Sequence, residues 1–185
     1  MRIISGQYGR RKLEVPKGND IRPTSDKIRG AIFNSLESLG AIHEARVLDA
    51  FSGSGALGIE ALSRGAQHCT FIDKSRTSLD LSKRNIDTVG AAPHSDTLIG
   101  DASKINFKRK AFDLILLDPP YYKNLTELTL KNLEKQSAIL STATIICETE
   151  RSVNMSHAPH YSVHSEKIYG DTKVTILIYN ESTPE

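Results

Sequence analysis

Short apolar runs alternate with helix-length amphipathic segments along most of this 185-residue chain. The apolar runs of strand length lie at 46–50, 69–72, 97–99, 112–117 and 144–148. Apolar residues at helical spacing lie between them, at about 56–63, 75–89 and 125–134. Alternating strands and helices predict a parallel sheet with right-handed crossovers and helices on both faces.

Two further strand-like segments, 161–168 and 173–179, follow with only Tyr169–Thr172 between them. So short a connection predicts an antiparallel hairpin at the end of the chain. If the first strand is central, the second lies on one side of it and the 112–117 and 144–148 strands lie on the other. Cys69 and Cys147 would then be several strands apart, too far for a disulfide.

The first 23 residues form a separate pattern. Arg2–Ser5 and Lys12–Val15 alternate apolar and polar residues around Gly6–Gly9, which predicts a small β-hairpin. A proline-bounded connector follows, and Thr24 or Ser25 can cap a helix that runs to about Leu39. We therefore expect a basic extension at 1–23 and a main domain at 24–185.

Charge is distributed unevenly. The net charge is +2, but residues 1–30 carry eight Lys or Arg against three acidic residues, which gives +5 there and −3 in the remainder. Positive charge concentrated at one end predicts contact with a polyanion through that end. The alternative is a basic terminus that is only solvated.

Composition and hydropathy narrow the class of protein. A hydrophobic content of 38% in 185 residues is enough for one full core. The sequence has no apolar run of membrane-spanning length and no signal-peptide pattern at residues 1–6, so we expect a cytoplasmic protein. His157, His160 and His164 lack a recognised ligand spacing, so no metal site is expected.

A glycine-rich turn follows the first core strand. Gly53 and Gly55 allow a sharp turn close to a ligand, and the next helix offers unpaired N–H groups there. Gly53–Gly58 also fits the dinucleotide pattern G-x-G-x-x-G, and Asp73 lies twenty residues after Gly53. An NAD-dependent oxidoreductase is therefore one candidate.

Acidic residues at successive strand ends favour a different ligand. Asp49 directly precedes the glycine turn, where a carboxylate suits the amino group of a methionine moiety and would repel a pyrophosphate. Asp73 and Asp101 follow the next two strands. Taken singly, each acid could instead be a helix cap or a turn residue. Together they favour a cationic ligand such as S-adenosylmethionine.

Asp118-Pro119-Pro120-Tyr121 comes directly after the apolar run 112–117. Asp118 therefore lies at the carboxyl end of a buried strand, where open α/β sheets bind ligands. The two prolines lack N–H groups, so the carbonyl groups of this turn stay available as acceptors. A carboxylate, a carbonyl group and an aromatic ring can together hold a planar amino group. An ordinary Asp-Pro turn is the alternative.

These motifs resemble the class I S-adenosylmethionine-dependent methyltransferases, and specifically the RsmD family, which methylates guanine N2 in 16S ribosomal RNA. The resemblance extends through residues 1–13, 22–29, 49–66, 118–121 and 169–172. It implies a Rossmann-like three-layer sandwich with a mostly parallel seven-stranded sheet and a C-terminal antiparallel hairpin. It also implies a monomeric enzyme that acts on 16S ribosomal RNA, within a small-subunit assembly intermediate.

The resemblance assigns roles to individual residues. The cofactor-binding residues would be Asp49, Phe51, Ser52, Gly53, Gly55, Asp73, Lys74, Asp101 and Ala102. The catalytic residues would be Asp118, Pro119, Pro120 and Tyr121. The RNA-binding residues would be Arg2, Arg10, Arg11, Lys12, Arg22 and Arg29.

Two other enzyme classes remain open from the sequence. DNA adenine-N6 methyltransferases use a similar Asp-Pro-Pro-Tyr turn for an analogous amino group, although this chain has no room for a target-recognition insert. An NAD-dependent oxidoreductase would explain the glycine pattern, but neither Asp49 nor the Pro119-Pro120 pair. The basic N-terminal segment favours RNA as the substrate.

Overall fold

The computed structural model describes residues 1–16, 26–107, 111–120, 124–153 and 159–180. Its helices are α1 (Asp26–Ser38), α2 (Ala56–Ser63), α3 (Arg76–Val89) and α4 (Leu125–Lys135), with a short 3-10 turn at Ala92–His94. Its strands are β1 (Arg46–Asp49), β2 (His68–Asp73), β3 (Ser95–Ile99), β4 (Phe112–Leu117), β5 (Ile139–Glu150), β6 (Tyr161–Tyr169) and β7 (Thr172–Tyr179).

The seven strands form one sheet in the order β3-β2-β1-β4-β5-β7-β6. Strands β1 to β5 are parallel, and β7 pairs antiparallel with both β5 and β6. The predicted fold class, the central first strand and the C-terminal hairpin are therefore confirmed. Strand β5 is longer than the predicted 144–148 because it pairs with β4 over its first part as well as with β7.

Each face of the sheet carries its own apolar core. Helices α1, α2 and α3, together with residues 1–16, cover one face, and buried side chains from each of them join one cluster. Helix α4 covers part of the other face, where Leu130 and Leu133 pack against β4 and β5. Cys69 in β2 and Cys147 in β5 are buried and unpaired, as expected, and burial raises the pKa of the Cys147 thiol to about 12.

Gly58 sets the distance between α2 and the sheet. A Cβ added there would clash with the ring of Phe71 and would lie 2.7 Å from Cys69 Sγ. Helix α2 therefore lies unusually close to β2, and all eight of its residues are buried. This close approach brings the first turn of α2 against the carboxyl end of β1.

The N-terminal segment is a shorter version of the predicted hairpin, because within residues 1–16 its arms meet in a single antiparallel bridge, Arg2–Lys12. Backbone bonds also join the arms. The Ile3 amide donates to the Arg11 carbonyl at 3.0 Å, and the Leu13 amide donates to the Met1 carbonyl at 3.1 Å.

Helix α2 binds the backbone groups that face it. The Ile4 and Ser5 amides donate to the Glu60 carboxylate at 2.7 and 3.2 Å, and the Tyr8 amide donates to Ser63 Oγ at 2.9 Å. The segment is therefore held both by bonds between its own arms and by α2.

The expectation that Arg29 contacts RNA is wrong for this structure. Its side chain is fully buried. It donates to the backbone carbonyl of Arg2 and to Asp26 at 2.9 Å, and it lies 3.9 Å from the buried Glu60 carboxylate. Arg29 therefore joins α1 to the N-terminal segment and to α2, and its guanidinium does not face a ligand.

Of the helices in the described part of the chain, none combines the length and the apolar character that crossing a bilayer requires.

Two glycine substitutions test the packing of α2. Gly58→Ala forces a methyl group into the Phe71 ring, so we expect a loss of about 1–3 kcal/mol in the free energy of unfolding. Gly30→Ala is the matched control. A Cβ at this position in α1 meets only Ile4, at 3.9 Å, and should stabilise the protein by about 0.5–1 kcal/mol. Urea unfolding of both variants measures the difference, and equal effects would contradict the packing argument.

Candidate active site

Three carboxylates converge at the carboxyl edge of the sheet. Asp49 ends β1. Asp73 ends β2 and Asp118 directly follows β4, and β2 and β4 are the two strands that flank β1. The register pairs Asp49 with Phe71 and Leu116, which places Asp73 and Asp118 two residues further along the neighbouring strands. The charges of Asp118 and Asp73 act on Asp49, which means that the three side chains share one site.

The glycine turn crosses this edge from β1 to α2. Gly53 and Gly55 have φ values of 52° and 79°, in the left-handed region that favours glycine. The Ser52 amide donates to the Ile72 carbonyl at 2.9 Å, which fixes the turn against β2. An added Cβ at Gly53 would meet only the Phe51 carbonyl oxygen, 4.0 Å away, so this side of the turn is open to a ligand.

Helix α3 holds the turn from behind through two buried polar residues that the sequence reasoning missed. Ser82 Oγ donates to the Gly53 carbonyl at 2.9 Å and contacts Ser52 Oγ at 3.1 Å. Asn85 Nδ2 donates to the Ser54 carbonyl at 2.8 Å. One sequence pattern could have identified these two residues. They are polar, lie three positions apart and share the apolar face of a helix that also buries Leu79 and Ile86.

Asp49 is almost completely buried, with 2% of its surface exposed. Its Oδ2 accepts a hydrogen bond from the Gly58 amide of α2 at 3.0 Å. Burial is the main reason why the pKa of this carboxyl is raised to about 7, and the nearby Asp118 and Asp73 charges raise it further. A cationic group brought to this position would relieve both effects.

Asp73 supports the backbone on both sides of the site. Its Oδ2 accepts from the Gly53 amide at 3.0 Å, and its Oδ1 accepts from the Ser75 amide at 2.8 Å. Ser75 in turn caps α3 by accepting from the Ser78 amide. A carboxylate oxygen has a second lone pair, so Asp73 can still accept from a ligand hydroxyl while it orders the turn.

Asp101 lies after β3, and both of its contacts with Ser103 involve Oδ1. The Ser103 hydroxyl and amide donate at 2.6 and 3.0 Å and, together with nearby Lys104 and Lys74, lower the pKa of Asp101. The Ala102 carbonyl accepts from Asn132 at 2.9 Å, which fixes this loop on α4. An ionised carboxylate is thus held at the β3 end of the site.

The remaining predicted residues occupy different positions around the edge. Phe51 is half-buried and packs against the apolar core on the α4 side of the sheet, while Lys74 is exposed after β2. Asp118 is half-buried, Pro119 is buried and Pro120 is exposed. Tyr121 lies outside the described residues.

The basic residues of the N-terminal segment fall into two groups. Arg2, Arg10 and Lys12 are exposed, and Arg10 has a φ of 69° at the tip of the segment. Arg11 is different, because Nη1 donates to the Val89 carbonyl at the end of α3 at 2.8 Å and the guanidinium lies over the Tyr8 ring. Arg11 therefore anchors the segment to α3. Arg22 lies outside the described residues.

Within the residues that the structure describes, no group of three or more His, Cys, Asp or Glu side chains is placed to hold a metal ion.

The chain is similar to known methyltransferases both in sequence and in structure. A family model described as conserved hypothetical protein 95 matches residues 1–178. The chain is 35% identical over 179 residues to ribosomal RNA small subunit methyltransferase D of Escherichia coli strain K12, covering 92% of this chain and 85% of that protein. It is 34% identical over 181 residues to the putative rRNA methyltransferase YlbH of Bacillus subtilis, covering 95% and 97%.

Solved structures agree with the sequence relatives. The putative methyltransferase yhhF from Escherichia coli superposes with a TM-score of 0.86 at 33% identity, covering 98% of this chain and 99% of that one. A putative RNA methyltransferase from Pyrococcus horikoshii has a TM-score of 0.73 at 16% identity, which bears on the fold alone.

The raised pKa of Asp49 predicts how binding of S-adenosylmethionine depends on pH. In the free protein this carboxyl holds a proton below about pH 7. An amino group of the ligand favours the carboxylate, so binding releases that proton and affinity should rise with pH, by up to about tenfold per unit below pH 7. Calorimetric titration between about pH 5.5 and 7.5 measures this slope.

Asp49→Asn is the control for this titration, because it keeps the shape of the side chain but cannot ionise. Its affinity should be weaker at pH 7 and nearly independent of pH. A wild-type affinity that does not change across the range would contradict the assignment of Asp49.

Proposed function

Because the chain belongs to the family described as conserved hypothetical protein 95, we propose that it methylates the exocyclic N2 of a guanine in 16S ribosomal RNA. Its fold is that of the class I methyltransferases, whose methyl donor is S-adenosylmethionine. The observation that carries the proposal is the strand register, which places Asp118 at the same edge of the sheet as Asp49, where the Gly53–Gly55 turn leaves β1. The proposed substrate is 16S ribosomal RNA within a small-subunit assembly intermediate, and the proposed active form is a monomer.

The acidic edge fits the donor in charge and in length. Asp49 would hold the amino group of the methionine moiety, since it is a buried acid next to two further acids. Asp73, with the Gly53–Gly55 turn, would hold the ribose hydroxyls. Asp101 and the Ala102 backbone, one strand further along the sheet, would hold the adenine, with Phe51 against its ring. When bound, S-adenosylmethionine supplies an electrophilic methyl group.

The target base would lie over the turn after β4. The N2 lone pair of guanine is delocalised into the ring, so the free amine is a poor nucleophile. Asp118 and the Pro119 carbonyl can accept its two N–H bonds and draw the nitrogen toward a tetrahedral geometry that directs the lone pair at the methyl group. Orientation of this kind supplies much of the rate in reactions between two bound groups.

Proton balance follows from the same contacts. A nitrogen–carbon bond forms as the methyl–sulfur bond breaks, and N2 loses one proton. Asp118 accepts that proton or passes it to water. No covalent enzyme intermediate is required, and the two buried cysteines, with raised thiol pKa values, are unsuited to forming one. Tyr121, next after Pro120, would stack on a base taken out of its helix or loop.

The exposed basic residues of the N-terminal segment would bind the RNA backbone. Arg10 and Lys12 are exposed and would contact phosphates, and Arg22 is proposed to join them. Arg2 is exposed too, but its Nε lies 3.5 Å from the Asp26 carboxylate, so a phosphate would have to compete with that ion pair. Arg11 would contribute mainly by anchoring the segment, because its guanidinium already contacts the end of α3. Residues 1–16 pack into the same core as α2 and β1, so the segment that carries Arg2, Arg10 and Lys12 is attached to the elements that form the acidic edge.

Identification of the methylated base distinguishes this proposal from DNA adenine-N6 methylation. The protein is incubated with labelled S-adenosylmethionine and, separately, with small subunits lacking the modification, free 16S RNA and duplex DNA. We expect label in N2-methylguanine from the subunits or the RNA. Label in N6-methyladenine from DNA would replace the proposal, and no label in any substrate would oppose both activities.

Asp118→Ala tests the role of the turn. We expect the rate of methyl transfer to fall by at least about 10²-fold, because the variant loses both an acceptor for the amine and the acceptor for its proton. Affinity for S-adenosylmethionine should remain close to wild type. The matched control is Asp113→Ala, at the opposite end of β4, where the carboxylate pairs with Arg46 at the surface. Near-normal turnover in Asp118→Ala would refute the assignment.

A salt titration tests the basic segment. The double variant Arg10→Ala/Lys12→Ala should bind 16S RNA more weakly, and the slope of log affinity against log salt should decrease by about 0.7–0.9 for each lost phosphate contact. Lys131→Ala/Lys135→Ala removes the same charge from exposed positions on α4 and serves as the control. Equal slopes for the two double variants would exclude a specific role for residues 10 and 12.

A further inference from the structure

Asn85 of α3 connects the N-terminal segment to the glycine turn. Its side chain is completely buried. Oδ1 accepts from the Glu14 amide at 2.8 Å, while Nδ2 donates to the Glu14 carbonyl at 3.0 Å and to the Ser54 carbonyl at 2.8 Å. One carboxamide therefore binds both backbone groups of Glu14 and one carbonyl of the turn.

This bridge differs from the other contacts of the turn. Ser82, one helical turn earlier, hydrogen-bonds to Ser52 and Gly53 of the turn and does not bridge to Glu14. Arg11, which follows the exposed tip, is fixed to the carbonyl of Val89 at the other end of the same helix. The tip of the segment and the turn are thus both attached to α3. Ser54 Oγ of the turn also reaches Met1 Sδ at 3.8 Å, but Asn85 binds backbone groups of both the segment and the turn.

We propose that Asn85 is a positioning residue that couples RNA binding at the N-terminal segment to cofactor binding at the glycine turn, so that each ligand raises the affinity of the other. This inference rests on the proposed function, because it requires that Arg10 and Lys12 contact RNA and that residues 51–55 contact S-adenosylmethionine. RNA and S-adenosylmethionine could both bind at the proposed residues without affecting each other, and the coupling between the two binding steps is what this inference adds.

The physical basis is the ordering of two segments by one group. Gly53 and Gly55 can adopt more backbone conformations than other residues, so the turn keeps its observed shape through the bonds that hold it, including the bond from Asn85 to the Ser54 carbonyl. Phosphate contacts that immobilise residues 10–12 also immobilise Glu14, two residues further on, and with it the Asn85 carboxamide. The Ser54 carbonyl is then held before the cofactor arrives. A ligand that binds an already ordered partner loses less conformational entropy, which gives positive cooperativity.

The first measurement uses the wild-type protein. Affinity for S-adenosylhomocysteine, which cannot transfer a methyl group, is determined with and without saturating 16S RNA transcribed in vitro. We expect RNA to tighten this affinity by at least about fivefold, and S-adenosylhomocysteine to tighten RNA binding by the same factor, as linkage requires. If both ligands bind and neither affects the other, the coupling is refuted while the proposed function stands. If RNA does not bind, the proposed function fails and the coupling fails with it.

Asn85→Asp then tests the residue. The variant keeps the acceptor for the Glu14 amide and replaces the two donations to Glu14 and Ser54 carbonyls with repulsion. We expect both ligands still to bind and the coupling factor to fall to about one. Ser82→Ala is the matched control, because it weakens the hold on the turn without touching Glu14. Its cofactor affinity should fall equally with and without RNA, so that its coupling factor stays at the wild-type value. Wild-type coupling in a folded Asn85→Asp protein would refute the role.

Hydrogen exchange provides a test that does not depend on the stability of the variant. In the wild-type protein without RNA, S-adenosylhomocysteine should slow amide exchange in residues 12–16, which lie outside the proposed cofactor contacts. Glu14→Ala should show the same slowing, because it removes only the surface ion pair with Arg84 and keeps the backbone that Asn85 binds. Unchanged exchange in residues 12–16 of the wild-type protein would overturn the proposal.

Discussion

The candidate site depends on the parallel pairing of β1 with β2 on one side and β4 on the other. Parallel strands end at the same edge, and the observed register brings Asp49, Asp73 and Asp118 together there. Such a cluster of acids is unfavourable in the absence of a cation, and burial adds to the cost for Asp49. The sheet therefore creates an electrostatic strain that a cationic ligand would relieve.

Two buried acids on the same side of the sheet show the difference between a structural carboxylate and one suited to a ligand. Glu60 accepts from the Ile4 and Ser5 amides and pairs with Arg64 at 2.7 Å, so its charge is compensated within the fold. Asp49 accepts a hydrogen bond from the Gly58 amide, but the charged residues near it are acidic, and the pKa of its carboxyl is raised to about 7. Burial alone does not distinguish a structural carboxylate from one suited to a ligand. A buried carboxylate without compensating positive charge is a candidate for binding a cation.

The sequence predicted most of the fold because its local signals agree with the final structure. Helix α2 and strand β4 have the expected bounds, since a glycine turn and a Pro-Pro turn mark their ends. The failures concern partners that are distant in the chain. In the sequence, Arg29 is typical of an exposed basic residue. Its burial depends on Glu60, thirty-one positions later, whose carboxylate is buried beside it. The contacts of Asn85 are likewise not visible in the sequence, because residues 14 and 54, whose carbonyls it binds, come together at α3 only in the folded chain.

The N-terminal segment is part of the core on the α2 side of the sheet. Ile3 and Leu13 are buried in the same cluster as Phe33 and Ile59, and Gly6 lies so close to Ser63 that a side chain there would clash with its carbonyl group. The basic tip is therefore attached to the core that also contains β1. If the chain acts as proposed, selection among the many guanines of a large RNA would be geometric: phosphates bound at the tip would place one base over the turn after β4, without direct reading of the surrounding sequence.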